Sequence, residues 1–335
     1  MNICYISETH ETCDFVKRIV IKIKKIFNIV EFSEDNGKTT ITLPLFKSNK
    51  IRNKKIIKIA KRINKKLYDN NIENVVLSNY LEENEILKQK LQGKSCMHIG
   101  DDDISDIQSA ERAGISAYKI YCQNINILDG RYLFYLLIPE IIEYILKRQK
   151  VKLQNGEVTL LINDFTQNNA KIITYIAQNV KRVNIVTNHS NKFKKIEDYL
   201  YNELGVILNI TNNKSKSLSN ANIIINIDFP EEIINKYEIN SNAIIVNIFN
   251  EIKIRAKKFN GININYYKAC IPKEYQIDGF QNNLVYESSI YKCSYENARK
   301  DIIANKIRIK KLVGINGDIS ENEFCKNLKY NTWQN

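Results

Sequence analysis

Short, continuous apolar runs in the second half of the chain are separated by stretches in which apolar residues recur every three or four positions. The runs predict strands and the recurring positions predict helices. Continuous apolar runs are typical of strands that helices cover on both faces, so the pattern predicts an α/β domain with a doubly wound parallel sheet. The predicted strands are 158–162, 183–187, 206–210, 222–227 and 243–248, and the predicted helices are 170–179, 192–204 and 231–236.

The first half gives a second, less regular α/β pattern. Amphipathic helices are predicted at 15–27 and 56–67, a hairpin around Asn36-Gly37, and a long helix at 131–148 with Asp129 as its N-cap. A polar connector follows at 149–157, and we place the domain boundary there. The predicted domains are an N-terminal α/β domain (1–150), a Rossmann-like domain (151–255) and a C-terminal extension (256–335), which holds predicted strands at 259–267 and 283–288 and a helix at 295–305.

Charge adds one candidate partner. The chain has 335 residues and a formal net charge of +13, and ten basic residues fall between Lys47 and Lys66. This face could bind nucleic acid. The apolar residues of the same stretch lie on one helical stripe, however, so we favour a solvated helix face over a nucleic-acid site.

Several classes of protein are disfavoured. The longest apolar stretch, 133–146, is interrupted by Pro139, Glu140 and Glu143 and is too short to span a bilayer, so we expect no membrane partner. No signal-peptide pattern follows the start, which predicts a cytoplasmic location. The seven cysteines form no CxxC pair and lie at no metal-ligand spacing from histidine.

The order of elements, the helix end at Gly205 and the strand IIINIDFP at 223–230 resemble the cofactor domain of two-domain dehydrogenases. In that family a GxGxxG turn after the first strand lets the backbone approach the cofactor pyrophosphate. Here the turn at 163–169 reads NDFTQNN and has no glycine, and Asp164 would repel a phosphate. We therefore expect no cofactor. The chain also resembles uncharacterised bacterial two-domain proteins with a similar DGRYLF segment at 129–134.

Four residues are predicted to line a cleft at the carboxyl ends of the second-domain strands: Asn163, Asp164, Asn188 and Asp228. The resemblance to dehydrogenases places Asn188 at the position of the acid that binds the cofactor ribose. A polar residue that merely ends a strand is the competing interpretation.

The stretch 97–115, MHIGDDDISDIQSAERAGI, resembles the fourth motif of the haloacid dehalogenase superfamily of phosphohydrolases. That resemblance implies that Asp101 and Asp106 hold Mg²⁺. The same chemistry needs an aspartate nucleophile and a second aspartate two residues on, at the end of an upstream strand. The suitable strand ends with Ser7 and Thr9 at those positions, and no DxDxT occurs before residue 97.

Residues 92–122 contain no asparagine, although the chain is rich in it, and hold three of the 11 glycines. We interpret this segment as an inserted βαβ fragment, with a divergent natural domain as the alternative. The sequence then predicts a non-catalytic or ligand-sensing protein with no catalytic residues and no metal. The alternative is a Mg²⁺-dependent phosphohydrolase, which is disfavoured because the nucleophile motif is missing.

Overall fold

The computed structural model describes residues 3–9, 15–35, 38–43, 53–92 and 125–325. The chain forms two compact units. The first comprises Met1–Asp129 with Lys273–Ser289, and the second comprises Gly130–Pro272 with Ile290–Asn335. The segment 93–124, which includes Asp101, Asp106 and nearly all of the predicted insertion, lies outside the described residues.

The first unit has a five-stranded sheet in the order β2-β3-β1-β4-β5. Strand β1 runs parallel to β3 and β4, β5 runs parallel to β4, and β2 pairs antiparallel with β3 in the predicted hairpin. The strands are β1 Ile3–Glu8, β2 Glu31–Asp35, β3 Lys38–Leu43, β4 Asn74–Leu77 and β5 Asn126–Ile127.

Helices α1 Phe15–Phe27, α2 Asn53–Asp69, α3 Asn79–Glu82 and α4 Glu85–Gln92 complete the described part of the first unit before residue 93. The predicted apolar stripe of α2 is buried and its lysines lie on the other side, as expected for a solvated basic face. The apolar stripe of α1 is not buried in the same way: among the described residues, Ile23, Ile26 and Phe27 are between 46% and 71% exposed.

The second unit has an eight-stranded sheet in the order β13-β12-β11-β10-β9-β6-β7-β8. Strands β6 to β11 are all parallel, and β12 and β13 add an antiparallel edge. The six parallel strands, numbered from β6, have the 3-2-1-4-5-6 order of the dinucleotide-binding fold. Their bounds are β6 Glu157–Leu161, β7 Arg182–Val186, β8 Leu208–Thr211, β9 Ile223–Asn226, β10 Ile244–Asn247 and β11 Ile262–Cys270, followed by β12 Arg308–Gly314 and β13 Gly317–Asp318.

The sequence therefore predicted the fold class correctly: the second unit is a doubly wound, Rossmann-like parallel sheet. Gly205 ends the helix before β8 with φ of 64°, a left-handed conformation that glycine adopts without strain. The helices are α5 Arg131–Leu136, α6 Ile138–Arg148, α7 Gln167–Asn179, α8 Lys194–Leu204, α9 Lys214–Asn220, α10 Glu231–Ile234 and α12 Tyr295–Ala304.

The division between the units lies about twenty residues before the predicted boundary at 150. Helices α5 and α6 belong to the second unit, where the ring of Phe134 stacks on Tyr267 at 4.6 Å. The predicted N-cap at Asp129 was wrong, because α5 begins after Gly130, whose φ is 82°. The predicted single helix 131–148 is also divided at Leu137, since Pro139 has no N–H to continue the ladder and instead occupies the first turn of α6.

The predicted extension 256–335 is likewise shared between the units. Its segment 283–288 was predicted as a strand but forms helix α11 Asn282–Ile290. Within the first unit the α11 residue Ser288 hydrogen bonds to the Tyr5 hydroxyl of β1 at 2.8 Å, so one face of this helix is anchored to the sheet. The predicted helix 295–305 is confirmed as α12. Among the residues described, no helix combines the length and apolarity needed to cross a membrane.

Candidate functional site

The candidate site lies at the carboxyl ends of β6, β7 and β9. From β6 the chain builds the sheet outward through β7 and β8, and then returns to place β9 on the other side of β6. The strand order thus reverses between β6 and β9. In open α/β sheets, ligands bind in the crevice at such a switch point, outside the carboxyl ends of the strands.

A carboxylate of the protein itself occupies this position. Asp228, in the loop after β9, accepts hydrogen bonds from the backbone N–H of Asn163 at 2.8 and 2.9 Å and from that of Asp164 at 2.8 Å. Both donors belong to the turn between β6 and α7. Consecutive N–H groups at this turn are the donors with which the dinucleotide-binding fold holds a pyrophosphate. Asp228 therefore takes up two backbone donors of the turn that leads into α7.

The electrostatics of Asp228 reflect opposing influences. Partial burial raises the pKa of its carboxyl group above the usual 3.8. The hydrogen bonds from the Asp164 and Asn163 N–H groups lower that pKa, and the nearby negative charge of Asp164 raises it again. Because Asp164 itself is exposed, this turn presents a negative side chain to solvent beside the Asp228 carboxylate.

The four predicted cleft residues come together, although by contacts that the sequence did not indicate. The side-chain Oδ1 of Asn163 accepts a hydrogen bond from the backbone N–H of Asn188 at 2.9 Å. Asn188 thus contributes its backbone, while its side chain is exposed. Asp228, Asn163 and Asn188 together tie the carboxyl ends of β9, β6 and β7, and we call these contacts the Asp228 latch.

Side chains, rather than glycines, fix the shape of the turn after β6. Thr166 caps α7, because its Oγ1 accepts a hydrogen bond from the N–H of Asn169 at 3.1 Å. The Asn169 side chain donates to the carbonyl of Asp164 at 2.6 Å and accepts from the hydroxyl of Tyr135 at 2.5 Å. Burial raises the pKa of Tyr135 far above its usual range, so this phenol keeps its proton as a donor.

On the other side of the switch point, buried amides join β9, β10 and β11. The side-chain Nδ2 of Asn226 donates to Oδ1 of Asn247 at 3.2 Å, and Nδ2 of Asn247 donates to Oδ1 of Asn265 at 2.9 Å. Asn265 then accepts from the N–H of Ile252 at 3.0 Å and donates to the Ile252 carbonyl at 3.1 Å. These amides hold the loop after β10 against the sheet.

A buried arginine binds the same part of the sheet edge as these amides. The Nη1 of Arg131, at the start of α5, donates to the carbonyls of Asn265 at 2.7 Å, Ile248 at 3.0 Å and Asn247 at 3.3 Å. Its guanidinium also lies 3.6 Å from the carboxylate of Glu251, which is exposed. We call Arg131 with Asn226, Asn247 and Asn265 the arginine–asparagine network.

The network was not predicted from the sequence, yet the sequence contains a signal for it. Asparagine recurs along the carboxyl edge of the second sheet, each time after an apolar residue. Asn226 and Asn247 end β9 and β10, Asn163 follows the end of β6, and Asn265 lies beside Asn247 in β11, which continues to Cys270. Asparagine is depleted in strand interiors, so its recurrence at one end of successive parallel strands indicates a common polar edge. Which amides pair depends on strand order, which the local pattern does not contain.

The edge of the sheet offers no assembled metal site. No cluster of three or more histidine, cysteine, aspartate or glutamate side chains occurs in the part of the chain that the structure describes. Asp101 and Asp106, the metal ligands implied by the phosphohydrolase resemblance, lie outside it. Three hydrogen bonds from N–H groups to the Asp228 oxygens use much of the coordinating capacity of that carboxylate.

Comparison with known proteins gives no family. No protein-family model matches the chain, and no curated protein matches it. Solved structures similar to it include a shikimate dehydrogenase in complex with NADP⁺ (11% identity, covering 98% of this chain and 95% of that one, TM-score 0.31). Two others are L-tryptophan dehydrogenase from Nostoc punctiforme (8%, 98% and 89%, 0.28) and a chorismate mutase/shikimate 5-dehydrogenase fusion protein from Clostridium acetobutylicum (14%, 99% and 98%, 0.27).

These TM-scores are too low to support an argument about this chain, so the fold assignment rests on the strand order itself. The resemblances to bacterial two-domain proteins and to phosphohydrolases stay predictions.

Proposed function

We propose that this chain is a non-catalytic, ligand-sensing protein of dinucleotide-fold ancestry, in which the pyrophosphate site is closed by the protein's own Asp228. The observation that carries the proposal is the set of three hydrogen bonds from the N–H groups of Asn163 and Asp164 to that carboxylate. The proposal rests on these hydrogen bonds and not on the similarity to solved structures.

The residues present do not fit a dinucleotide. A pyrophosphate would have to replace a carboxylate that is covalently part of the chain and already bound to the two N–H donors. It would also meet the exposed negative charge of Asp164, at a turn without a glycine to allow close backbone approach. We therefore derive no hydride-transfer step for this site.

The remaining groups at this edge support binding better than catalysis. Asn163 and Asn188 carry amides, which donate and accept hydrogen bonds but do not transfer protons at neutral pH. The Tyr135 hydroxyl is fixed on Asn169, and burial keeps it protonated. Such an edge can recognise a polar ligand without reacting with it.

Calorimetric titration with NAD and NADP tests the proposal. We expect no saturable heat with the unaltered protein up to millimolar cofactor. Asp228→Ala is the informative variant, because it frees both N–H groups, and we expect it to bind inorganic pyrophosphate measurably more tightly than the unaltered protein does. Micromolar binding of either cofactor to the unaltered protein would refute the closure of this site.

The second candidate is a Mg²⁺-dependent phosphohydrolase, which the motif with Asp101 and Asp106 favours. The end of β1 does not supply its nucleophile: Ser7 replaces the aspartate, the Thr9 hydroxyl donates to the Leu43 carbonyl at 2.7 Å, and Glu8 accepts from the Ser78 hydroxyl at 2.5 Å. We expect no Mg²⁺-dependent hydrolysis of a phosphomonoester above the Asp101→Asn control. Turnover that this substitution abolishes would establish the second candidate instead.

Part of the basic face between Lys47 and Lys66 serves the fold. Lys55 donates to the Lys25 carbonyl at 3.0 Å, and Arg62 donates to the Phe27 carbonyl at 2.5 Å, at the negative end of the α1 dipole. We therefore do not propose a nucleic-acid partner. We place the protein in the cytoplasm, which the free thiols of Cys4, Cys270, Cys293 and Cys325 support.

A further inference from the structure

A groove on the second unit lies between α7, α8 and α12, on the helical layer rather than at the edge of the sheet. Its volume is about 630 Å³, and its lining is mainly apolar. A volume of this order is within the range of pockets that bind small molecules. Neither the Asp228 latch nor the arginine–asparagine network contributes a residue to it, and among the described residues between β6 and α7 only Phe165 lines it.

Three tyrosines line the groove. Tyr175 on α7 is 42% exposed and Tyr199 on α8 is 50% exposed, whereas Tyr295 on α12 is buried at 8%. Phe165 is held edge-on against the ring of Phe193 at 5.1 Å. Large aromatic residues exposed together on one surface are typical of binding sites, since each offers a rigid face for stacking.

Two of the three cations that line the groove are neutralised by the protein. Arg299 forms a bidentate ion pair with Glu140, with both N–O distances 2.8 Å, and Lys171 pairs with Glu296. The guanidinium of Arg299 also lies 5.8 Å from the Tyr175 ring centre. Within the described residues, the third cation, Lys195, is exposed and has no carboxylate within ion-pair distance.

The groove therefore combines exposed aromatic faces with one uncompensated positive charge. We propose that it binds a planar aromatic monoanion, an aryl carboxylate whose ring stacks on Tyr175 and Tyr199 and whose carboxylate pairs with Lys195. The groove is separate from the Asp228 latch, so a negative binding result at the groove would not bear on the proposal for the Asp228 site.

The charges around the groove are suited to a ligand with one negative charge. Burial raises the pKa of Tyr295 to about 12, so its phenol adds no negative charge that would oppose the carboxylate at physiological pH. A dianion would bring a second charge to cations that Glu140 and Glu296 already satisfy. An uncharged ring would leave Lys195 without an anionic partner.

The test is calorimetric titration of the full-length protein with 2-naphthoate, alongside the neutral isostere 2-naphthalenemethanol and the non-aromatic cyclohexanecarboxylate. We expect saturable binding of 2-naphthoate, about two- to fivefold weaker binding of the alcohol, which lacks the charge, and at least about tenfold weaker binding of cyclohexanecarboxylate, which lacks the aromatic ring. Lys195→Gln should weaken 2-naphthoate binding by about two- to fivefold and leave the affinity for the neutral alcohol unchanged. Tyr199→Leu should weaken the binding of both aromatic compounds by about three- to tenfold.

Matched controls lie on the same helix. Lys194→Gln and Tyr201→Leu alter neighbouring exposed residues of the same types that do not line the groove, and both should retain the original affinity. Thermal unfolding of each variant establishes that it is folded. Absence of saturable 2-naphthoate binding, equal affinity for the alcohol, or equal losses in the control variants would each overturn the proposal.

Discussion

The two halves of the carboxyl edge of the second sheet are closed in different ways. Between β9 and β11 the arginine–asparagine network is buried, with Asn247 fully shielded from solvent. Between β6 and β9 the Asp228 latch is only partly buried, and one of the two donors to the Asp228 carboxylate is the backbone of the exposed Asp164.

This difference in burial means that the arginine–asparagine network is a permanent structural contact, whereas the Asp228 latch can open. Buried amides and a buried guanidinium have no solvent to replace their partners, so breaking that network costs the full desolvation of each group left unpaired. The Asp228 latch is only partly buried, so water can hydrate its carboxylate and N–H groups when they separate. We infer that a ligand could gain access at the latch and not at the network.

The largest effect is expected for Arg131→Met. The substitution keeps the length of the side chain but removes the donor that three carbonyl oxygens share, so we expect a loss of about 3 to 5 kcal/mol in the free energy of unfolding. Chemical denaturation measures it. The matched control is Arg182→Met, whose ion pair with Glu157 is exposed and should be worth at most about 1 kcal/mol. Equal losses in the two variants would show that Arg131 is not a buried anchor.

Asn247→Ala should cost somewhat less, about 2 to 3 kcal/mol, because it removes the amide that connects Asn226 to Asn265 and leaves buried partners unsatisfied. Asn209→Ala is the control, since that amide pairs with Asn184 near the solvent-exposed edge strand. A loss below that of the control would mean that the three strands do not depend on the amide network.

The Asp228 latch should contribute less, and its contribution should depend on pH. We expect Asp228→Ala to lower the free energy of unfolding by about 1 to 2 kcal/mol. Because the native pKa of Asp228 is raised, the native state holds the proton more tightly than the unfolded chain does. Its stabilising contribution is therefore largest at low pH and falls as pH rises from about 3.8 through the native pKa.

The stability difference between the protein and Asp228→Ala should accordingly be wider at pH 4 than at pH 8, as measured by urea denaturation at both values. The difference produced by Asn247→Ala should be the same at both, since no group in the contacts of that amide titrates there. A difference for Asp228→Ala that grows with pH would show that the latch carboxyl has a lowered pKa instead.

The smallest effect is expected for Asn163→Ala, at about 0.5 to 1 kcal/mol. This variant loses the hydrogen bond from the Asn188 N–H to the Asn163 side chain but keeps the backbone donors to Asp228. Asn188→Ala should have almost no effect, because Asn188 takes part through its backbone. Thermal melts of the two variants compare them directly, and a larger loss in Asn188→Ala would contradict the assigned contact.

The fold of the second unit could be predicted from its sequence because its strands are continuous apolar runs and its helix ends carry local signals such as Gly205. Residues 283–288 show the limit of that reasoning. A short apolar run fits a strand and a buried helix equally well, and only packing in the first unit decides for the helix.

The candidate site was predictable in position but not in its contacts. Asp228 follows a buried strand, so its place at the carboxyl edge could be inferred. Its bonding to the N–H groups of Asn163 and Asp164, 65 and 64 residues away respectively, depends on β9 lying next to β6. The contacts of Arg131 with the second sheet were not predicted, because Arg131 comes before the domain boundary that the sequence suggested.

Amide hydrogen exchange at Asn163 and Asp164 tests most directly whether Asp228 occupies the anion site of this fold. In the unaltered protein both amides should be protected, and in Asp228→Ala their exchange should accelerate by about tenfold or more while the amides of β6 keep their protection. Unchanged exchange at Asn163 and Asp164 in the variant would show that Asp228 does not close the site, and would contradict the account.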